Sequence, residues 1–241
     1  LSECKCEAYA YGHQCCDFSD GTLVCLTPGE SISMKENNKE FPSKGWILAF
    51  HPDLICGTPL GLNIHNYTFF SYCPEEALHL SLREKQIILE FLERIRQELE
   101  RCIDRHSKKI ISKYIELLLD YCTRFYERQF ITRSEVNKKV FREFNHLLDN
   151  HFNVKVSLST DVLSDEYCAN LLHLSPAYFN DLLKYEIGKE FKEYIQFKRF
   201  EIAKGWLVNT DKTLGQIAQE LGFSNSQYFS RLFKKITGCS P

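Results

Sequence analysis

The sequence has no long hydrophobic run. Its longest uninterrupted apolar stretch is Trp46–Phe50, whereas a helix that crosses a bilayer needs about 20 such residues. The first residues, Leu1–Cys6, also lack the basic and apolar regions of a signal peptide. We therefore expect a cytoplasmic protein without a membrane partner. Because the chain begins without Met beside strand-like residues, we also expect its first domain to be incomplete.

An excess of charge of one sign is also absent. The 30 basic and 32 acidic side chains give a net charge of -2, so the overall composition favours neither a nucleic-acid nor a membrane surface. The balance differs along the chain, because residues 1–72 carry 4 basic and 8 acidic side chains, whereas residues 155–241 carry 11 and 10. A charged binding surface must therefore be local.

Recognisable catalytic arrangements are lacking as well. The histidines His51, His65 and His79 are scattered and form no clustered set with carboxylates. We find no catalytic triad, no glycine-rich phosphate loop and no paired catalytic carboxylates. The sequence therefore predicts a protein that is not an enzyme and that needs no cofactor.

Cysteine, in contrast, is abundant, with 11 residues. Without a signal peptide, we expect these thiols to be reduced. A metal site and a redox-sensing thiol remain alternatives for one group near the start of the chain. Its members are Cys4, Cys6, His13, Cys15 and Cys16. Their spacing lacks the C-x-x-C pairs of structural zinc sites, so no bound metal is expected.

Residues 1–80 have the composition of a β-rich domain. Glycine and proline are concentrated here, and short strand-like stretches such as Gly21–Leu26 end at turn signals. Trp46–Phe50 predicts a further buried strand, closed by a turn at His51–Asp53. The sequence therefore predicts β structure up to residue 80.

Residues 81–133 change to the period of helices, with two amphipathic stripes. The stripes consist of Ile88, Leu92, Ile95 and Leu99 in the first helix and Ile111, Ile115 and Leu118 in the second. An antiparallel hairpin within one chain explains this pattern, and so does a dimerisation seam, because heptads suit a partner helix equally well. A third helix is predicted over Ser134–His151.

Two segments near the end of the sequence repeat each other. The matched positions are Ala169 with Ala218, Leu172 with Leu221, Ser175 with Ser224, Tyr178–Phe179 with Tyr228–Phe229, and Gly188 with Gly238. Such repetition indicates one supersecondary unit that occurs twice.

Each copy has the features of a helix-turn-helix unit. In the second copy, Thr213 is placed to cap a helix and Gly222 can supply the left-handed residue of the turn. In the first copy, Ser164 takes the capping role and His173 the position of the turn residue, because histidine tolerates positive φ better than most residues. Ser175–Pro176 then predicts the start of the following helix.

These residues carry a resemblance to a known family. Residues 134–241 resemble the DNA-binding domain of AraC/XylS regulators, whose second-unit motif appears here as Ile217-Ala-Gln-Glu-Leu-Gly-Phe-Ser-Asn-Ser-Gln-Tyr-Phe-Ser-Arg-Leu-Phe-Lys-Lys-Ile-Thr-Gly238. The resemblance implies two helix-turn-helix units joined by a linker helix, here Phe191–Val208. Upstream, Trp46–Leu54 and Asn66–Leu80 resemble the cupin-like sensor of such regulators.

The second helix of each unit would read DNA. Tyr178, Phe179 and Leu182, with their counterparts Tyr228, Phe229 and Leu232, are predicted to point inward. The candidates for DNA contact are Ala177, Asn180, Asp181 and Lys184 in the first unit and Asn225, Ser226, Gln227, Ser230, Arg231, Lys234 and Lys235 in the second. Arginine suits guanine, asparagine or glutamine suits adenine, and lysine suits phosphate. Asp181 would repel phosphates unless it accepts from cytosine N4.

The sequence thus predicts an α+β protein with three parts. These are a partial, β-rich, cupin-like piece over 1–80, a helical hairpin for dimerisation over 81–133, and an all-α domain with two helix-turn-helix units over 134–241. The expected function is signal-controlled, sequence-specific transcription regulation. A metal- or thiol-sensing regulator and a cupin-type enzyme are the alternatives. Expected partners are double-stranded DNA and a second copy of the chain, with RNA polymerase and an unidentified small-molecule effector as further candidates.

Overall fold

The computed structural model describes residues 12–30, 45–153, 163–223 and 225–241. The chain divides into two compact units, Leu1–Asn137 and Lys138–Pro241, which we call the N-terminal unit and the C-terminal unit. None of the helices in the described ranges is both long and apolar enough to cross a membrane.

The N-terminal unit contains a small antiparallel sheet. Its strands β1 (Gly21–Leu23) and β2 (Leu78–Leu80) pair with Thr22 opposite His79. The chain between them forms helices α1 (Pro52–Ile55) and α2 (Pro59–Asn63), followed by the 3-10 turns Ile64–Asn66, Thr68–Ser71 and Pro74–Glu76. The β-rich, cupin-like piece predicted for 1–80 is therefore represented, in the described residues, by two three-residue strands and several short helices.

The prediction of a buried strand over Trp46–Phe50 is wrong. The segment is irregular, and the side chain of Ile47 is 94% exposed. The chain starts α1 directly afterwards, where the His51 side chain accepts a hydrogen bond from the Asp53 backbone N–H at 3.3 Å. An apolar run favours burial, but it forms a strand only where a neighbouring strand supplies backbone partners.

A helical hairpin forms the core of the N-terminal unit. Helix α3 (Leu82–Glu100) starts at a capping box between Ser81 and Glu84, and it packs against α4 (Ser107–Thr132). Six of the seven predicted dimerisation residues are buried within this unit, namely Ile88, Leu92, Ile95, Ile111, Ile115 and Leu118, whereas Leu99 is 58% exposed. The six buried side chains therefore hold the hairpin together, and they are not available as a seam for a second chain.

Leu118→Glu is expected to unfold the N-terminal unit rather than to separate two folded chains. Leu118 is 5% exposed, and a carboxylate buried there without a partner costs several kcal/mol. Circular dichroism during thermal unfolding measures this effect. Leu117→Glu is the matched control, because Leu117 is adjacent and 43% exposed, so this variant should keep the fold. If the Leu118→Glu chain stays folded and sediments as a smaller species than the wild type, this stripe would be a dimerisation surface after all.

The regular secondary structure in the described residues of the C-terminal unit is all helical. Helix α5 (Ser134–Asn153) starts in the N-terminal unit and continues into this one. The remaining helices are α6 (Asp165–Leu171), α7 (Pro176–Ile187), α8 (Phe191–Asn209), α9 (Leu214–Glu220) and α10 (Ser226–Thr237). The predicted third helix and linker helix are confirmed, each to within two residues.

Most of the buried side chains among the described residues of the C-terminal unit belong to two clusters. The first cluster surrounds Phe144 and Phe179 and includes Phe191 at the start of α8. The second surrounds Phe229 and includes Phe200 from the middle of α8. Helix α8 therefore contributes to both clusters, as a linker between two small folded units should.

Candidate nucleic-acid interface

Two helix pairs in the C-terminal unit have helix-turn-helix geometry. In each pair, α6–α7 and α9–α10, a seven-residue helix is followed by a twelve-residue helix. The buried alanines Ala169 and Ala218, which are 0% and 1% exposed, allow close helix packing in their respective clusters. The turn residues predicted from the sequence have positive φ, 57° at His173 and 76° at Gly222.

Side-chain caps fix where each helix starts. The Ser164 hydroxyl accepts from the Tyr167 N–H at 3.0 Å, and the Thr213 hydroxyl accepts from the Gln216 N–H at 3.3 Å. Ser175 caps α7 in the same way, with Pro176 at the first helical position. These predicted caps are confirmed, and each one holds a short helix in a fixed register. Ser224 lies outside the described residues.

The outer face of α10 is basic. Gln227, Arg231, Lys234 and Lys235 are exposed, while Phe229 and Phe233 hold the opposite face in the core. Residues 221–241 contain three basic side chains and no acidic one. Within the described ranges, neither the Arg231 guanidinium nor the Lys234 ammonium has a hydrogen-bond or ion-pair partner. This face of α10 therefore presents positive charge that no described acidic side chain compensates.

Two polar candidates of the second unit are already engaged. The Asn225 side chain caps α10 by accepting from the Tyr228 N–H at 2.6 Å, and the Ser230 hydroxyl donates to the Ser226 carbonyl at 2.8 Å. Ser226 itself is half-buried at the start of the helix. Asn225 and Ser230 thus stabilise the helix that carries the basic face.

The prediction that Tyr228 points inward is wrong. Its side chain is 47% exposed, whereas its counterpart Tyr178 is 4% exposed. The Tyr228 ring lies against Phe223 with the ring centroids 6.4 Å apart, so its surroundings differ from those in the first unit. The repeat alignment missed this residue because the two tyrosines occupy equivalent positions in sequence.

The outer face of α7 is less basic than that of α10. Lys184 is exposed and lies 3.9 Å from Glu190, a pair that is worth little in solvent. Asp181 and Ala177 are half-buried. Helix α7 carries one lysine and two acidic residues, Asp181 and Glu186. The two second helices therefore differ in charge, although their folds repeat.

Asn180 ties α7 to α6, so the prediction that it reads adenine does not fit the structure. Its amide nitrogen donates to the Asp165 carboxylate at 3.0 Å and to the Pro176 carbonyl at 3.0 Å. A bidentate contact with adenine needs a free amide N–H, and both hydrogens are engaged here. Asn180 therefore positions the second helix of the first unit.

The two alternatives for the cysteines near the start of the chain, a metal site and a redox-sensing thiol, find little support in the described residues. Cys4 and Cys6 lie outside the described residues, and within the described ranges no cluster of His, Cys, Asp and Glu suits a metal ion. Burial raises the pKa of Cys25 to about 12 and that of Cys168, with a further contribution from Asp165, to about 11. Burial and Asp17 also raise the pKa of Cys16. A raised pKa lowers the thiolate fraction, which is the reactive form.

The spans of the sequence matches agree with this geometry. A family described as "Helix-turn-helix domain" matches residues 168–241. The chain is 34% identical over 107 residues to the uncharacterized HTH-type transcriptional regulator YtdP of Bacillus subtilis, covering 44% of this chain and 14% of that protein. It is 30% identical over 97 residues to the arabinose operon regulatory protein of Salmonella typhimurium, covering 40% and 31%.

A third relative matches over a longer range. The uncharacterized HTH-type transcriptional regulator YijO of Escherichia coli is 24% identical over 221 residues, which covers 92% of this chain and 74% of that protein. The chain thus spans less than a third of YtdP and of the arabinose operon regulatory protein, but most of YijO.

Proposed function

Residues 168–241 form a helix-turn-helix domain of the AraC type, and on this basis we propose that the protein is a sequence-specific, DNA-binding transcription regulator. Its relatives are named as transcriptional regulators. The observation that carries the proposal is the outer face of α10, where Arg231 and Lys234 are exposed and have no partner within the described ranges.

The residues of this face have chemistry suited to DNA. Arg231 presents a planar guanidinium that can donate two hydrogen bonds to guanine, and Gln227 presents an amide that can pair with adenine. Lys234 and Lys235 suit phosphates, as does Lys184 in the first unit. Tyr228 joins the set because its hydroxyl can donate to a phosphate. Asn225 and Ser226 place the start of α10, and Ser230 lies along it.

The two units would contribute unequally. Helix α10 has three cations and no acid, whereas α7 has Asp181 and Glu186 beside Lys184. A carboxylate near phosphates is unfavourable unless it accepts from cytosine N4. We therefore assign most of the affinity to the second unit. In the first unit, Asp181 and Ala177 would select sequence, while Asn180 holds α7 in place.

The linker helix sets the spacing of the two units. Helix α8 has 19 residues, which at 1.5 Å per residue span about 28 Å. Successive major-groove turns on one face of DNA are roughly 34 Å apart. This similarity in length supports simultaneous reading of two adjacent groove segments by α7 and α10.

The rest of the chain would control this reading. We assign residues 1–80 to reception of a signal and residues 81–133 to a helical scaffold, upstream of a DNA-binding domain over 134–241. A signal that favours one conformer of the N-terminal unit would shift how the DNA-binding unit is presented. A second copy of the chain, RNA polymerase and a small-molecule effector are the proposed further partners, all in the cytoplasm. A dimer would use a surface other than the buried stripe.

Selection from a pool of random DNA duplexes tests the proposed function. The full chain should enrich particular sequences and bind them at least about a thousandfold more tightly than random duplexes at physiological salt. Its affinity should also fall as salt rises, because lysine and arginine displace counterions from phosphates. Equal affinity for enriched and random duplexes would reduce the protein to a non-specific binder, and absence of binding would remove the proposal.

A further inference from the structure

A dense group of cations lies where the hairpin of the N-terminal unit turns. Residues 101–113, which form the turn after α3 and the start of α4, contain five basic side chains and one acidic side chain. All five basic residues are exposed, and we call them the hairpin patch: Arg101, Arg105, Lys108, Lys109 and Lys113. The rest of residues 1–137 carries 11 basic and 19 acidic side chains. The hairpin patch is therefore a local reversal of charge on an acidic unit.

The turn that carries the hairpin patch does not neutralise it. Within the described ranges, the side chains of Arg101 and of the three lysines have no hydrogen-bond or ion-pair partner. The one acid of the segment, Asp104, accepts from the backbone N–H groups of His106 and Ser107 at 2.7 and 3.0 Å. These hydrogen bonds hold the pKa of Asp104 below its ordinary value, so this carboxylate stays ionised and fixes the turn. The patch cations themselves face solvent.

The acids at the end of α3 are engaged with other groups. Glu100 forms an ion pair with Arg96, and Glu98 accepts from the Ser107 hydroxyl at 3.0 Å. In the described part of the chain, neither carboxylate forms an ion pair with a cation of the hairpin patch. The patch is therefore free to meet an anion from outside the chain.

The stability of α4 does not account for the lysines of the hairpin patch. Lys108 and Lys109 lie in the first turn of this 26-residue helix, which has no acidic residue there. The N-terminal end of a helix is the positive end of its dipole, where carboxylates are favourable and cations are not. Lys113 follows Lys109 by four positions, so the two share a face of α4. These positions cost the helix stability, and a bound polyanion would offset that cost.

Duplex DNA is the polyanion that best fits the hairpin patch. It carries one negative charge per about 1.7 Å of its axis, so clustered cations can contact several phosphates at once. The proposed function already brings DNA to this chain, and a second contact within one complex forms at a high effective concentration. A second copy of the chain fits less well, because the acids Asp17, Glu84 and Glu93 of the N-terminal unit each already pair with an arginine.

We propose that the hairpin patch binds phosphates of duplex DNA outside the sequence that the helix-turn-helix units read. Lysine presents a point charge to phosphate, so this contact does not depend on the base sequence. It lengthens the bound segment of DNA and adds affinity without adding specificity. The inference rests on the proposed function, because recognition by the C-terminal unit is what brings DNA to the chain.

The triple variant Lys108→Gln/Lys109→Gln/Lys113→Gln in the full chain tests the hairpin patch. The probes are a short duplex with the selected sequence alone and the same duplex extended by random flanks of about 20 base pairs, or about 70 Å, on each side. On the extended duplex at about 0.1 M salt, the Kd of the variant should be about tenfold higher or more, and the slope of log K against log salt should fall in magnitude by about 3. On the short duplex the variant should bind like the wild type.

Footprinting and thermal unfolding complete this test. The wild-type chain should protect part of a flank from hydroxyl radicals, and the triple variant should not. The melting temperature of the variant should stay the same or rise, because its lost cations are unfavourable at the start of α4. An unchanged Kd and slope on the extended duplex would overturn the proposal. Equal losses on both duplexes would overturn it too, because the lysines would then act on folding or on the selected site.

Arg83→Gln/Arg94→Gln is the matched control. Both arginines are exposed on α3 and have no partner within the described ranges, so they resemble the patch cations but lie outside residues 101–113. The control should leave the Kd, the salt slope and the footprint on the extended duplex unchanged. If the control lowers the slope as much as the triple variant does, the effect belongs to the charge of the whole unit and the hairpin patch is not a binding surface.

Random duplexes separate this inference from the proposed function. If the wild-type chain binds random duplexes without selecting any sequence, and the triple variant loses that binding, the proposed function fails and the hairpin patch stands. If the triple variant selects and binds extended duplexes as the wild type does, the patch fails and the proposed function stands. Absence of any DNA binding would overturn both.

Sedimentation of the free chains tests the other partner. The wild type and the triple variant should sediment alike, because the hairpin patch contacts DNA and not protein. If the variant sediments as a smaller species while its Kd for the extended duplex is unchanged, the patch binds a second copy of the chain, and the assignment to DNA is wrong.

Discussion

Arg231→Ala is expected to bind the selected duplex about 10- to 100-fold more weakly, which corresponds to a loss of about 1–3 kcal/mol for a base-reading arginine. The guanidinium is exposed and without a partner in the described ranges, so its removal leaves no buried group unsatisfied and should not unfold the helix. Fluorescence anisotropy with the selected duplex and with random duplexes measures the effect.

Lys234→Ala separates base reading from phosphate contact. Loss of a lysine that contacts a phosphate should weaken binding to all sequences similarly and should reduce the magnitude of the slope of log K against log salt by about 1. Arg142→Ala is the control, because Arg142 is an exposed arginine on α5, outside the helix-turn-helix pairs, and its loss should leave the Kd unchanged. If Arg231→Ala loses the same factor in affinity for selected and for random duplexes, Arg231 contacts phosphate and not a base.

Phe229→Ala is expected to destabilise the second helix-turn-helix unit by about 3–5 kcal/mol, the usual cost of removing a buried phenylalanine. The ring is 0% exposed and lies 5.1 Å from Phe223, 5.6 Å from Phe233 and 5.8 Å from Phe200, centroid to centroid. Amide exchange in α9 and α10, together with thermal unfolding, measures the loss. The selected duplex should bind much more weakly, because α10 would no longer be held in place.

Phe179→Ala is the matched variant in the first unit. Phe179 is also 0% exposed, and its ring lies 5.0 Å from Phe144 in the other cluster. Because the two clusters are separate, each variant should mainly accelerate exchange in its own helix pair. If either variant accelerates exchange equally in both pairs, the two cores unfold as one, and the independence of the two units would be refuted.

The helix-turn-helix units could be predicted because their signals are local. Ser164, Ser175 and Thr213 cap helices that begin at the next residue, and a cap depends on backbone groups only two or three positions away. Gly222 and His173 satisfy a backbone requirement at a single residue. Sequence alone therefore indicates the helix starts, the turns and the linker of the C-terminal unit correctly.

The hairpin and the first 80 residues were harder to predict, because their structure depends on distant partners. The stripe at Leu92 and Leu118 has the same spacing whether the partner helix belongs to the same chain or to another. Trp46–Phe50 is apolar enough for a buried strand, but composition does not specify a strand partner. The error at Trp46–Phe50 and the two alternatives left open for the stripe have one cause, because periodicity indicates which side of an element is covered and not what covers it.

The hydrogen bonds and the exposure of individual side chains could not be predicted either. Asn180 bonds to Asp165 across a turn, and Tyr228 differs from Tyr178 in exposure although the repeats align. The Arg133 guanidinium donates to the buried Asp17 carboxylate at 2.9 Å, although 116 positions separate the two residues and no motif links them. Such contacts depend on three-dimensional neighbours, so they become visible only once the fold is known.

The long separation between Asp17 and Arg133 also bears on the order in which the chain folds. Closing a loop of this length costs more entropy than closing the local turns of a helix, and contacts of high sequence separation form slowly. During synthesis, the Asp17 carboxylate must stay hydrated until the end of α4 has left the ribosome. The N-terminal unit can therefore complete its native packing only after Arg133 has emerged, although Asp17 is among the first residues to be made.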